Sequence, residues 1–234
     1  KQGQVLNSFE FGNFLVFEGI PPFIHGMSML YREQLVLDFE DLLNPSSRRQ
    51  ELLEQYNVTS ALLHHPTSDD ATLLLVEFLS STPDWKLQAW DDTGLLFVKG
   101  DRSAGLTAVR PWAQPPWTDP EAARLELTNL VKNHPSSMAH LYLSRILLEQ
   151  GQVTKATSQA VKATQLASNY SPAWAQLGAC YAKEGNLAGV LLATEKAVVL
   201  APDNPQPHLN RALALLESSR RNSGLSGRFE RWRA

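Results

Sequence analysis

The sequence contains one cysteine, Cys180, among 234 residues, which excludes an internal disulfide. No apolar run is long enough to cross a membrane as a helix. Neither sign of charge dominates, because 21 Lys and Arg stand against 24 Asp and Glu, and this balance argues against a chain-wide nucleic-acid surface. The sequence has neither a Gly-x-Gly-x-x-Gly loop nor a Walker sequence, so a nucleotide phosphate site is not expected.

The charges are unevenly distributed along the chain. Residues 1–117 hold 8 basic and 15 acidic residues, residues 118–217 hold 8 of each, and residues 218–234 hold 5 and 1. The basic tail, residues 220–234, is predicted to be a poorly ordered terminus. An arm for nucleic acid or anionic lipid is the alternative, although no second basic surface that would support it is expected from the sequence. Because the first residue is Lys1 rather than Met, we expect the chain to be part of a longer protein.

Residues 1–110 are predicted to form an α/β domain. Short runs rich in β-branched, leucine and aromatic residues predict strands at 4–7, 21–26, 58–65, 85–91 and 94–100. Between them, helical patterns occur at 8–18, 32–43, 46–56 and 68–80. This alternation predicts a mostly parallel sheet with helices on both faces. The sequence Asp91-Asp92-Thr93-Gly94 predicts a turn that adds an antiparallel edge hairpin.

Polar residues in this domain do not form a recognisable catalytic or metal-binding set. Adjacent residues on a strand point to opposite faces, so His64 and His65 cannot both bind one ion. The acidic run 38–41 is interpreted as a solvated helix face. We therefore expect no catalytic residue, metal or cofactor; an enzyme acting on a small molecule is the alternative, and it would need a deep pocket lined by His25 and His65.

Residues 111–118, with the sequence PWAQPPWT, mark the end of this domain. Three prolines and two tryptophans in this stretch are incompatible with a continuous helix or a central strand. We interpret it as a short stiff linker that Trp112 and Trp117 pack in part.

The remaining residues, 119–219, contain a repeated pattern of large and small side chains. In residues 171–204 these side chains are Trp174, Leu177, Gly178, Tyr181, Ala197 and Pro202. The pattern resembles a tetratricopeptide repeat, in which helix pairs of about 34 residues stack on one another. Moving the frame by one repeat in each direction predicts helices at 119–133, 137–150, 153–166, 171–184, 187–200 and 205–219. We therefore predict an all-α solenoid of about three helix pairs, in which replacing Trp174 with alanine costs about 3–5 kcal/mol.

The first helix of each repeat is predicted to line a groove that binds a protein or peptide. Its candidate residues are Met138, Leu141, Arg145, Leu148, Ala175, Ala179, Lys183, Leu209, Leu213 and Leu216. Tetratricopeptide domains that bind a C-terminal carboxylate carry Lys and Asn at several of these offsets, and this chain lacks that set. A mainly aliphatic groove favours an apolar occupant. Three candidates remain open: a partner helix, a second copy of the chain, or its own tail through Phe229 and Trp232.

Four motifs of the first domain occur in a characteristic order: Asn7 to Leu15, Pro21 to Gly26, 52–63 and 83–99. In this series, residues 4–100 resemble the soluble domain that follows the last membrane span of multi-spanning glycosyltransferases using lipid-linked sugars, the dolichyl-phosphate-mannose–protein mannosyltransferase-like group. That group often has Asp-Gly-Arg where this chain has His25-Gly26-Met27, and Gly-Gly where it has Gly12-Asn13. The resemblance implies an inner-membrane protein with this region on the extracytoplasmic side and its catalytic carboxylates elsewhere.

Our leading hypothesis is therefore a non-catalytic extracytoplasmic region of a membrane-anchored glycosyltransferase-like protein, whose helical repeats bind a protein. The second hypothesis is a soluble adaptor unrelated to sugar transfer, with cytoplasmic location. Homo-oligomerisation is compatible with both. No nucleic-acid partner is expected.

Overall fold

The computed structural model describes residues 3–27, 31–65, 71–101, 105–106, 108–113 and 118–222. The chain divides into two compact units, Lys1–Asp119 and Pro120–Ala234. The first residues of the predicted helix at 68–80, Trp117 of the predicted linker and residues 223–234 of the basic tail lie outside the described residues.

The first unit combines short strands and helices. In chain order its elements are β1 (Gln4–Asn7), α1 (Phe9–Phe17), α2 (Glu33–Leu43), α3 (Arg49–Gln55), β2 (Val58–His64), α4 (Ala71–Ser81), β3 (Trp85–Trp90) and β4 (Gly94–Lys99). The α/β character predicted from the alternating patterns is therefore present.

The four strands form one mixed sheet in the order β1-β2-β4-β3. Only β1 and β2 run parallel, whereas β4 pairs antiparallel with both β2 and β3. The prediction of a mostly parallel sheet was wrong, because the β3–β4 hairpin places β4 inside the sheet rather than adding it at the edge. The predicted turn of this hairpin is confirmed: Asp91 Oδ1 accepts hydrogen bonds from the backbone N–H groups of Thr93 and Gly94.

The predicted strand at 21–26 was also wrong as a strand. Pro22 makes only an isolated parallel bridge to Val5. Since Pro21 and Pro22 have no backbone N–H, they cannot donate to a ladder. The buried side chain of Asn7 holds this segment instead: its amide nitrogen donates to the Ile24 carbonyl at 2.8 Å and its oxygen accepts from the Phe23 N–H at 2.8 Å.

The acidic run in α2 forms the expected solvated face only in part, since Glu40 is exposed whereas Asp38 is not. Asp38 is 1% exposed. Its carboxylate accepts hydrogen bonds from the Tyr56 hydroxyl at 2.6 Å, from Gln34 at 2.9 Å and from Arg48 at 3.2 Å. The sequence pattern missed this cluster because its donors lie up to 18 residues away.

The second unit consists of six helices within the described residues. They are α5 (Pro120–Asn133), α6 (Ser137–Glu149), α7 (Val153–Leu166), α8 (Ser171–Glu184), α9 (Leu187–Leu200) and α10 (Pro205–Asn222). Consecutive helices pack against each other, and α8 also contacts α6 and α10. We call this region the helical unit. No helix in the described part of the chain is both long and apolar enough to cross a membrane.

The repeat predicted from the sequence is visible in the hydrogen bonds of the helical unit. The Ser137 hydroxyl donates to the Ala163 carbonyl at 2.9 Å, and the Ser171 hydroxyl donates to the Ala197 carbonyl at the same distance. Each bond joins the start of one helix to the later part of the next. Both the donor and the acceptor of the second bond lie one full repeat after those of the first. The helical unit is therefore a tetratricopeptide-like array.

The predicted packing residues of this repeat differ in burial. Leu177 and Ala197 are buried, and a Cβ added to Gly178 would lie 3.1 Å from Thr194 Cγ2, so the glycine allows α8 and α9 to approach closely. Trp174 and Tyr181 are half-buried and Pro202 is exposed. Gly185, which follows α8, adopts a φ of 72°, a conformation that favours glycine at a helix C-terminus.

Candidate binding cleft

The helical unit contains a cleft of about 470 Å³ between α8, α9 and α10. We call it the α8–α10 cleft. Helix α8 contributes Gly178, Ala179, Ala182 and Lys183, and the other residues that line it are Gly185, Leu187, Val190, Asn210, Leu213 and Ala214. Most of these side chains are apolar, so the cleft favours an apolar ligand.

The repeat explains why the cleft has depth at this position. The groove position held by Arg145 on α6 is held by Ala179 on α8 and by Leu213 on α10, each one repeat further along the chain. The small residue leaves space over α8, and the large residue borders that space from α10. Leu213 is 56% exposed in this position.

Helix α10 presents a row of leucines that nothing in the described part of the chain covers. Its inner face packs on α8 and α9 through the buried Ala214. On the other side, Leu209, Leu213 and Leu216 are each more than half exposed. Their spacing of four and three residues places them on one face of the helix.

The structure brings only part of the predicted groove together. Ala179, Lys183 and Leu213 line the α8–α10 cleft. Leu209 and Leu216 lie on the same helix as Leu213, outside the lining. The other predicted residues, all on α6 or earlier in α8, are half-buried or buried; they are Met138, Leu141, Arg145, Leu148 and Ala175.

Leu141 was the least suitable of these predictions. It is 1% exposed and belongs to the core of the helical unit, so it offers no surface to a ligand. Conversely, Leu187 and Val190 on α9 were missed, because the prediction considered only the first helix of each repeat. The positions of α9 that face α8, read off the same repeat frame, would have indicated them.

Polar groups occur at two places in the lining of the cleft. The ammonium group of Lys183 and the side-chain amide of Asn210 are the polar side chains among its lining residues. Nearby on α10, Arg211 is paired with Glu195 of α9 at 3.8 Å. Lys183 is exposed and makes no ion pair within the described residues, so it can pair with an acidic group of a ligand.

Cys180 lies on α8 but points away from solvent. It is fully buried, and its sulfur lies 3.5 Å from the Ser144 hydroxyl and 3.7 Å from the Gln176 amide nitrogen. Burial raises the pKa of the thiol above its ordinary value, which keeps it protonated. Since the thiolate is the reactive form, this environment is that of a structural cysteine.

His25 and His65 of the first unit each lie near a different aromatic ring. The His25 ring lies 5.1 Å from the Tyr31 ring, whereas the His65 ring lies 6.5 Å from the Trp90 ring. Burial lowers the pKa of His65. Neither His25 nor His65 is among the residues that line four of the best-formed cavities in the described part of the chain. In the same residues, no group of His, Cys, Asp or Glu is placed to hold a metal ion.

Comparisons with known proteins add little to what the structure shows about the fold. No protein-family model matches the chain, and no curated protein matches it. Among solved structures, 32 chains match. One is the crystal structure of MamA, with 21% identity and a TM-score of 0.42 over 45% of this chain and 63% of that chain. The chain thus spans less than two thirds of that neighbour, and a likeness at this level carries no argument about function.

The resemblance of residues 4–100 to membrane glycosyltransferases gains no support from these comparisons. It rests on the order of its four motifs alone. The tetratricopeptide-like assignment of the helical unit has structural support, because two of its hydrogen bonds recur at the same spacing as the sequence pattern.

Proposed function

We propose that the helical unit is a protein-interaction module that binds an apolar helix of a partner protein in the α8–α10 cleft. The observation that carries this proposal is the combination of a floor of small residues on α8 with the exposed Leu213 on α10, which continues outside the cleft into Leu209 and Leu216 on the same helix face. Ala179 and Ala182 leave the space, and Leu213 borders it. Burying such a surface is the main favourable contribution to most protein association.

A helix fits the surface better than an extended strand. The exposed leucines of α10 follow one another at helical spacing, so a second helix lying along α10 meets them in succession. Amphipathic helices bind apolar grooves through anchors at the same three- and four-residue spacing. Strand addition, the mode in which an extended peptide pairs with an open sheet edge, is not available here, because the helical unit has no sheet within its described residues.

Lys183 selects among such helices. Its ammonium group lies in the lining beside the apolar floor. A partner helix with a Glu or Asp next to its apolar stripe would pair with it, whereas a Lys or Arg at that position would be repelled. The preferred partner is therefore an apolar helix with an acidic residue at its border.

Binding of a designed helix tests this proposal. The probe is a labelled amphipathic peptide with leucines on one face and one glutamate at its border. We expect Leu213→Asp to weaken binding at least tenfold, which corresponds to about 1.4 kcal/mol. Leu192→Asp is the matched control, because Leu192 is 59% exposed on α9 and does not line the cleft. Fluorescence anisotropy measures both variants.

Two outcomes would contradict the proposal. One is equal loss of binding in both variants. The other is a dimer in analytical ultracentrifugation that Leu213→Asp dissociates, which would show that a second copy of the chain occupies the cleft.

The wider setting of the module is a separate proposal that rests on the motif series of residues 4–100. On that basis, we propose an extracytoplasmic region of a membrane-anchored glycosyltransferase-like protein, in which this part of the chain binds rather than catalyses. A full-length sequence without membrane spans before these residues would contradict it and would favour a soluble adaptor.

A further inference from the structure

A second groove in the helical unit carries a different chemistry. Two cavities of about 400 Å³ each adjoin one another between α5 and α7, and Val131, Lys132 and Lys162 line both of them. Because the two cavities share these residues, we treat them as one groove. Its cationic walls consist of Lys132 on α5 and of Lys155 and Lys162 on α7, and we call it the lysine groove.

The charge of this groove is uncompensated within the described residues. No Asp or Glu lines either cavity. Arg124 also lines it, but Glu121 holds its guanidinium in a two-bond ion pair. In contrast, Lys132, Lys155 and Lys162 are exposed and form no ion pair with a described residue. Lys155 donates only to the Gln152 side chain, at 3.0 Å. Three ammonium groups therefore remain free to meet a ligand.

Below the lysines, the groove is apolar. Leu143 and Leu147 of α6 lie between the two walls, together with Val131 of α5. The amides and hydroxyl of Gln152, Ser158 and Gln159 add further polar groups along the α7 wall. A side chain with an apolar stem and a carboxylate head, such as glutamate, can contact the floor with its stem and a lysine with its head.

We propose that the lysine groove binds an acidic polypeptide segment. Lys155 and Lys162 are seven residues apart on α7, which separates them by about 10 Å along the helix axis. One small anion cannot contact both, whereas a polypeptide carries carboxylates at such intervals. A single-stranded nucleic acid is a poorer fit, because its bases stack on aromatic side chains and no Phe, Tyr or Trp lines the groove.

This proposal does not depend on the α8–α10 cleft. The lysine groove is formed by α5, α6 and α7, whereas the cleft is formed by the last three helices. The helical unit would then recognise two chemistries: an apolar helix in one place and an acidic segment in the other. An experiment can contradict either of the two proposals without contradicting the other.

Charge reversal of the groove tests the proposal. The probe is a labelled peptide of alternating glutamate and alanine, titrated by fluorescence anisotropy at low salt. We expect the full chain to bind it and the double variant Lys132→Glu and Lys162→Glu to bind at least tenfold more weakly. The control is Lys99→Glu with Lys196→Glu, which makes the same change in net charge at exposed lysines outside the groove. It should bind within twofold of the unmodified chain.

Three results would overturn the proposal: no binding by the unmodified chain, equal loss in the control, or tighter binding of a labelled oligothymidylate than of the acidic peptide. Circular dichroism establishes that each variant is folded. If the double reversal unfolds the helical unit, Lys132→Gln with Lys162→Gln replaces it. We then expect a smaller loss, of about threefold or more, and binding within twofold of the unmodified chain would overturn the proposal.

Discussion

Asp38 is the residue whose environment differs most from the solvated position that the sequence predicts. Its buried carboxylate joins α2 to the segments on both sides of α3, through Arg48 and Tyr56. The hydrogen bond from the Tyr56 hydroxyl is the main cause that lowers the pKa of Asp38, with further contributions from Gln34 and Arg48. The charge is thus stabilised by donors rather than by solvent.

We expect Asp38→Ala to lower the free energy of unfolding by about 1–3 kcal/mol, because it removes the buried acceptor of three hydrogen bonds, including that of the half-buried Tyr56 hydroxyl. Asp41→Ala is the control: Asp41 pairs with Arg48 at 2.8 Å but is 39% exposed, and such pairs contribute about 0–1 kcal/mol. Urea denaturation measures both. An equal effect of the two substitutions would contradict the assignment.

The same cluster predicts a dependence of stability on pH. Because the folded pKa of Asp38 lies below 3.8, its contribution is present above that pH and is lost as the pH falls through the folded pKa. Burial, followed by the bond to Asp38, raises the pKa of Tyr56 to about 12, so stability also falls as the pH rises above 10.0. In Tyr56→Phe, the urea midpoints should no longer show the part of the alkaline loss of stability that ionisation of the Tyr56 hydroxyl causes.

The structure lowers the loss of stability that we expect when Trp174 is replaced by alanine. As a fully buried repeat residue, it was expected to cost about 3–5 kcal/mol on truncation. The side chain is half-buried, and its Nε1 donates to the Ser168 carbonyl at 2.8 Å. We therefore expect Trp174→Ala to cost about 2 kcal/mol, from partial loss of apolar burial and one hydrogen bond. An unchanged thermal midpoint would show that the side chain does not stabilise the repeat.

At the scale of elements, the two serine hydrogen bonds link α6 to α7 and α8 to α9 in equivalent ways. Both serines are buried, and both bonds measure 2.9 Å. If the two repeats are energetically equivalent, Ser137→Ala and Ser171→Ala should destabilise the helical unit by similar amounts, about 1 kcal/mol each. Thermal denaturation of the two variants checks this, and a large difference between them would contradict the equivalence.

The elements also show what the sequence can predict. The helices of the second unit followed from local periodicity and from glycine turns such as Gly151 and Gly185, and their predicted bounds agree closely with the structure. The order of the strands did not follow, because pairing of β2 with β4 joins residues at least thirty positions apart. Local patterns carry no information about which distant strand supplies the partner.

The binding surfaces were predictable only in part, for a related reason. Leu213 was found because its position in the repeat faces the groove. Leu141 was assigned to the groove from the same kind of offset on α6 and is nevertheless buried. The offset within a repeat fixes the direction of a side chain, whereas its exposure depends on which helices pack above it. The lysine groove was missed because its lysines lie on α5 and α7, two helices that are not consecutive in the chain.

At the scale of the whole molecule, both proposed binding surfaces lie in the helical unit, while the first unit contains the mixed sheet. An array of stacked helix pairs can offer several surfaces at once, since each surface uses different helices of the array. On the two proposals made above, the helical unit would act as a binding scaffold whose two grooves differ in chemistry.

Site-specific photo-crosslinking tests most directly the central proposal, that the α8–α10 cleft binds an apolar helix. Benzoylphenylalanine is placed at Leu213 in one variant and at Leu192 in another, and each is irradiated with the labelled amphipathic peptide. We predict a crosslinked product at Leu213 that an excess of unlabelled peptide removes, and little product at Leu192. Equal crosslinking at both positions, or at Leu192 alone, would contradict the assignment of the α8–α10 cleft as the binding site.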